Sequence, residues 1–317
     1  MILDRPIAVI DIGSNSVHLM LLQPVPDGLP RLVRKVKDYV RLRAAIDDSG
    51  ALSEEAISRA ALVIAEFRRI ADDADAEVRA VATAAVRGAR NRRHFVERIR
   101  DDAGVEVEVI DGRREAALVY QGVRLGMPGF DGAQLCADVG GGSTEVLHGR
   151  GDEVQAIASV DIGAVGLTRD RLGDVPVSAV RLETTRVWLR EALARVVLPF
   201  DGLAPERWIA TSGTIQRLAR MHVAATGLDP DTPIDGITID RLALDALVDA
   251  LAAADTTEAR LRLPGIDPDR ADILLGGALV FEALADVFAI PAWTVSMAGL
   301  RMGLAAEVLR RRRARAA

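Results

Sequence analysis

The chain is 317 residues long, half of them apolar, with one cysteine, Cys136, and a formal net charge of −6. That length holds two ordinary domains, and a lone thiol excludes intramolecular disulfides and points to a reducing, cytoplasmic setting. The acidic balance argues against nucleic-acid binding through the whole surface. Aromatic residues are 3% of the chain, so the core must be built from Ala, Leu, Val and Ile. The most apolar stretch, "ILLGGALVFEALADVFAIPAW", carries Glu282 and Asp286 and suits a buried helix better than a membrane span. No basic leader with an apolar signal core opens the chain, because Asp4 and Asp11 intervene.

In chain order, "AVIDIG" and "VHLMLLQPV" read as two strands joined by the tight turn Gly13-Ser14-Asn15. A basic run, "RLVRKVKDYVRLR", follows. "LSEEAISRAALVIAEFRRIADD" is a helix: Ser53 caps it, Glu54 and Glu55 complement its positive end, and Ile57, Ala60, Ile64 and Ala71 keep helical spacing. "VRAVAT" is a buried strand, "RGARNRRHFVERIR" a second basic run, "VEVEVI" an alternating strand and "RREAALVYQGV" a helix. Gly and Pro cluster in "GMPGFDG", which sets a boundary between a first domain, 1–126, and a second, 127–317.

The second half then echoes the first. "QLCADVGGGSTEVLHG" sets D-V-G-G-G-S at Asp138 against D-I-G-S-N-S at Asp11, and Cys136 within it reads as an inert core residue. A strand near "QAIASVDIG", a helix over 177–198 and the strand-turn-helix "RWIATSGTIQRLARMH" come next. Helices over 239–261 and 268–288, the strand "AWTVS" and a closing helix from Leu300, free to fold back on the first domain, complete the chain. The tail "RRRRARAA" reads as a solvated, frayed helix end. The pattern is α/β with mixed sheets, and the repeated motif implies two similar domains flanking a cleft.

Glycine turns let a backbone approach a ligand closely and aim successive N–H groups into one concavity, which binds anions. Ser14, Asn15, Ser16, Ser143 and Thr144 add side-chain donors, and Thr211-Ser212-Gly213-Thr214 forms a third such turn. Two aspartates beside amides of this kind suit a hard divalent cation between them, magnesium with its retained waters. A Walker loop is excluded because G-x-x-x-x-G-K-[ST] is absent, and the Rossmann fingerprint fails because a strand, not a helix, follows the first turn. A single glycine turn between strands is ordinarily only a turn. The pair, with the third beside it, carries the signal.

These hairpin turns resemble the phosphate loops of the actin, hexokinase and heat-shock chaperone superfamily. Within it the chain resembles the exopolyphosphatase / guanosine pentaphosphate phosphohydrolase family along nearly its whole length. "DIGSNSVHLML" and "DVGGGSTEV" match the family's two signatures, and "LSEEAISRA", "VATAAVRGARNRRHF", "IDGRREAALVYQGV", "TSGTI", "DPDRADILLGGALV" and "TVSMAGLRMG" match its other segments in order. The resemblance implies two actin-like (ribonuclease H-like) domains with mixed sheets flanked by helices and an active-site cleft between them. It implies Glu115 as catalytic base, and Asp11, Asp138 and, more weakly, Glu145 as ligands of magnesium or of manganese in its place. Gly13, Ser14, Asn15, Ser16, Arg87 and the Gly140, Gly141, Gly142 and Ser143 amides would grip the terminal phosphoryl group, with Gly213 and Thr214 nearby. Read without the resemblance, Glu115 is an ordinary first-turn helix glutamate and Arg87 a surface arginine.

The implied reaction is removal of orthophosphate from inorganic polyphosphate, with guanosine pentaphosphate as the alternative substrate and a homodimer as the family's common assembly. A non-catalytic guanosine tetra- or pentaphosphate sensor and an actin-like sugar or acetate kinase are the rivals from other classes. Against the family pattern, Arg43 and Ala44 replace a glycine-acidic-glycine run, Arg114 an acid, Gly166 an arginine and Met302 a glutamate. Arg43 and Arg114 are expected to add positive charge near the site. Longer members carry further helical domains, so this chain is expected to favour short polyphosphates.

Overall fold

The computed structural model describes residues 4–25, 29–173 and 175–316, and these divide into two compact units, 1–126 with 298–317, and 127–297. The split after Gly126 falls in the Gly/Pro cluster, while the closing helix belongs to the first unit.

In the first unit, β1 (Ile7–Ile12), β2 (Val17–Gln23) and β3 (Arg31–Asp38) form an antiparallel meander, joined on the β1 side by parallel β4 (Glu77–Ala82) and β5 (Val107–Val109). The sheet order is β3-β2-β1-β4-β5. The first basic run is the exposed edge strand β3, where lysines and arginines discourage pairing with another sheet edge. Helix α1 (Glu54–Asp73) starts at Ser53, whose hydroxyl accepts from the Ala56 N–H, a cap worth about 1 kcal/mol. Its Ile57, Ala60, Ile64 and Ala71 face the core, together with Phe95 and Ile99 of α3 (Arg92–Ala103), which follows the short α2 (Ala84–Gly88). Helix α4 (Gly112–Gly126) follows β5.

The C-terminal helix, Leu300–Ala316, lies against α4 with backbone touching backbone. A Cβ on Gly303 would overlap the carbonyl of Leu118, and one on Gly122 would overlap that of Gly299. The tail is helical, not frayed, and is solvated at Arg310 and 313–315 but not throughout. Arg312 is buried, its Nε and Nη2 donate to Glu77 at 3.0 and 2.9 Å, and Nη1 donates to the Arg5 carbonyl. The ion pair ties the C-terminal helix to β4, and the bond to the Arg5 carbonyl ties it to the start of the chain.

The second unit repeats the plan. β6 (Ala133–Val139), β7 (Thr144–Arg150) and β8 (Glu153–Val160) form the meander, and β9 (Arg207–Thr211) and β11 (Ala292–Val295) extend the sheet in parallel. β10 (Thr238–Asp240) adds an antiparallel edge, giving the order β10-β11-β9-β6-β7-β8. Periodicity predicts a helix from 239, but Asp240 instead caps the helix Arg241–Ala253 from the end of that strand. The carboxylates inside the apolar stretch are also explained: Glu282 of the buried helix Leu274–Val287 takes a two-pronged bond from Arg186, at 2.9 Å on each oxygen. Asp286 pairs with Arg241. Buried acids persist where an arginine fork satisfies them. No helix among the described residues is long and apolar enough to cross a membrane.

Candidate functional site

Parallel strands deliver their following loops to one edge of a sheet, the edge where α/β proteins place ligands. In the first unit, Ile12, Ala82 and Val109 are in register at the ends of β1, β4 and β5. The Gly13–Ser16 turn, α2 with Arg87, and the first turn of α4 with Glu115 therefore leave from the same side. Glu115 is buried at 8% exposure and Arg87 Nη1 donates to its Oε2 at 2.8 Å and to the Ile110 carbonyl at 3.1 Å.

The turn itself is held by its carbonyls. Gly13 N–H donates to Ser16 O at 3.1 Å, and the N–H groups of Arg43 and Arg41 donate to the carbonyls of Ser14 and Asn15, each at 2.8 Å. Among the described residues the N–H groups of Ser14 and Asn15 donate to nothing, and the buried Asn15 Nδ2 has no acceptor. Ser16 Oγ shares a 2.8 Å hydrogen bond with His18 Nε2. Asp11, the last polar residue before the turn, is buried and its Oδ2 accepts from Arg301 Nη1 at 2.9 Å. Burial pushes its carboxyl above the ordinary aspartate value, and the guanidinium opposes that shift.

The second unit shows the same device. Gly140 N–H donates to Ser143 O at 2.9 Å, and the Gly140 and Gly141 carbonyls accept from Ala164 and Val165 at 2.9 Å each. Gly163 packs on the Gly141–Gly142 peptide so closely that a Cβ would overlap it. The N–H groups of Gly141 and Gly142 donate to nothing among the described residues. Asp138 sits directly opposite Glu145 on the hairpin and beside Thr211 of β9, so the third turn emerges next to the second. Ser212 Oγ accepts from the Thr214 and Ile215 N–H groups, and Thr214 Oγ1 donates to the Val139 carbonyl at 3.1 Å. Gly213 lies against the guanidinium of Arg270.

Among the described residues no three His, Cys, Asp or Glu side chains gather into a metal cluster. The donor set nonetheless suits a hard cation of the magnesium kind, which takes one or two carboxylates and completes its shell with water and substrate oxygens. Asp138 and Glu145 place two carboxylates on one face of a hairpin, an arrangement that is unfavourable without a nearby positive charge. Glu145 Oε1 accepts from Ser159 Oγ at 2.8 Å, and Asp11 already has Arg301.

Arg301 and Arg270 were not singled out in the sequence, although both lie in the matched segments "TVSMAGLRMG" and "DPDRADILLGGALV". The expectation that Arg114 adds free positive charge fails, because its guanidinium is paired with Glu307 of the C-terminal helix. Met302, in the place of a glutamate, packs beside Ile7, Val9 and Leu304. Cys136 is buried, and burial pushes its thiol far up, as expected of a core residue and not of a nucleophile.

The doubled strand order and doubled glycine turn define an actin-like protein of two related α/β units. The chain belongs to the Ppx/GppA phosphatase family, whose profile matches residues 21–312. It is 34% identical to exopolyphosphatase 1 of Mycobacterium tuberculosis over 301 residues, covering 94% of this chain and 86% of that one. It is 32% identical over 303 residues to a guanosine-5'-triphosphate,3'-diphosphate pyrophosphatase of Vibrio vulnificus, covering 95% of this chain but 59% of that one. Among solved structures, an exopolyphosphatase from Cytophaga hutchinsonii superposes with a TM-score of 0.86 at 29% identity, covering 96% of this chain and 98% of the other. The Aquifex aeolicus Ppx/GppA protein gives 0.82, also at 29% identity, with 97% and 98% covered.

Proposed function

We propose that this protein is an exopolyphosphatase that releases orthophosphate from the end of inorganic polyphosphate. The observation that carries the reading is the state of the two glycine turns. Their carbonyls are tied back, while the N–H groups of Ser14, Asn15, Gly141 and Gly142 are left without acceptors among the described residues. Donors kept in that state suit phosphoryl oxygens, which carry the charge that grows during transfer.

Water attacks the terminal phosphorus, its proton passes to Glu115, and the bridging P–O bond breaks to leave a chain one phosphate shorter. The leaving group is itself a phosphate, so a strong general acid is unnecessary. Arg87 steers Glu115 and adds positive charge beside it, and Ser16, Ser143 and Thr214 line the turns. A magnesium ion, for which Asp138 and Glu145 of the second unit are the candidate ligands, would supply positive charge to the phosphoryl oxygens when bound.

The match to the Vibrio protein favours guanosine pentaphosphate as a second substrate, since both demand the same terminal phosphoryl grip. Phosphate release from short polyphosphate, guanosine pentaphosphate and ATP, run side by side with magnesium, tests the reading. Fastest release from polyphosphate is expected. Release from pentaphosphate alone would transfer the assignment to the second substrate, and release from none would defeat both.

A further inference from the structure

The second basic run leaves a feature that the terminal phosphoryl site does not account for. A pocket of about 660 Å³ opens on the first unit between α3 and the strand-end segment Val107–Asp111, a size that suits a small organic ligand. It borders the site described above through Arg87 and the strand-end residues Val109 and Ile110. Helix α3 buries Phe95, Ile99 and Ala103 on one side, and the pocket takes the other. Arg93, Val96, Glu97 and Arg100 recur there at i, i+3, i+4 and i+7, a single face about 10 Å long. Val109 and Ile110 give the pocket an apolar wall opposite.

The charges are unusually available. Neither Arg93 nor Glu97 has an ion-pair partner among the described residues. Arg100 pairs with its exposed neighbour Asp101 at 3.1 Å, a contact of little strength.

We propose that this pocket binds a nucleoside phosphate. An inorganic polyanion would gain nothing from the apolar wall and would be repelled by Glu97. A purely apolar ligand would leave the arginines without purpose. A nucleoside phosphate uses all three kinds of lining: phosphate oxygens on the guanidinium forks of Arg93 and Arg100, a flat base against Val96, Val109 and Ile110, and ribose hydroxyl or base amino donors on the Glu97 and Asp111 carboxylates. Because Arg87 lines the pocket and also holds Glu115, an occupant would touch the group that steers the proposed base.

Calorimetric titration of the full chain with GMP, which has no anhydride to hydrolyse, tests this. Arg93→Glu should weaken GMP binding by about tenfold or more, the loss of a charge-assisted contact. Glu97→Lys should weaken it as well, through the lost acceptor. Both substitutions lie on an exposed helix face, so both proteins should fold and turn over short polyphosphate at the wild-type rate. GMP affinity unchanged in Arg93→Glu would overturn the proposal. Tighter GMP binding in Glu97→Lys would overturn it in favour of a site that reads phosphate alone, and loss of turnover in either variant would overturn it by merging the pocket with the phosphoryl site.

Discussion

The two glycine turns solve one problem with different materials. In the first unit the turn is Gly13-Ser14-Asn15-Ser16, its carbonyls fastened by the N–H groups of Arg41 and Arg43, and its preceding Asp11 is neutralised by Arg301. In the second, three successive glycines are fastened by Ala164 and Val165, and the preceding Asp138 faces another carboxylate, Glu145. The first aspartate sits beside a guanidinium, whereas the second sits across the hairpin from a carboxylate. Under the proposed function the first unit carries Glu115 with Arg87, and the second the carboxylate pair Asp138 and Glu145.

The largest expected effect falls in the first unit. Glu115→Gln should lower turnover by about 10²–10⁴-fold with little change in KM, and near-normal turnover would remove the general base from the account. Arg301→Met leaves the buried Asp11 carboxylate without its cation, and should cost roughly 3 kcal/mol in urea unfolding. Most of that loss should return in the Asp11→Asn, Arg301→Met double variant, and a double variant no more stable than the single one would mean Arg301 acts through packing alone. In the second unit Gly163→Ala drives a methyl into the Gly141–Gly142 peptide, at about 1–3 kcal/mol. Its KM should rise as well, because the displaced amides are the ones assigned to the phosphoryl group; an unchanged KM at reduced stability would separate that turn from substrate. Asp138→Asn should move the magnesium titration by about tenfold, some 1.4 kcal/mol, and an unshifted titration would take Asp138 out of the metal's shell.

Much of this was legible in the residues. The repeat of Asp11-Ile12-Gly13 in Asp138-Val139-Gly140 became a repeat of sheet topology, because each marks the first hairpin of a meander that parallel strands then extend. Ser53 reads as a cap and behaves as one. Contacts between residues distant in sequence were not legible. Nothing local says that Arg301 reaches Asp11, that Arg114 is neutralised by Glu307, or that Arg312 belongs to Glu77. A run of arginines looks solvated on any helix until a partner from the far end of the chain is known. Gly122 and Gly303 are similar: each is an unremarkable helical glycine alone, and only their meeting explains both.

The proposed function requires phosphoryl oxygens to meet the amide hydrogens of Ser14 and Asn15 in the first unit, and those of Gly141 and Gly142 in the second. Following their resonances by nitrogen–proton NMR as methylenebisphosphonate and magnesium are added measures this directly. Those of each turn should shift along a saturating curve, ahead of amides elsewhere in the same unit. Saturable binding of the bisphosphonate with those four resonances unmoved would contradict the account.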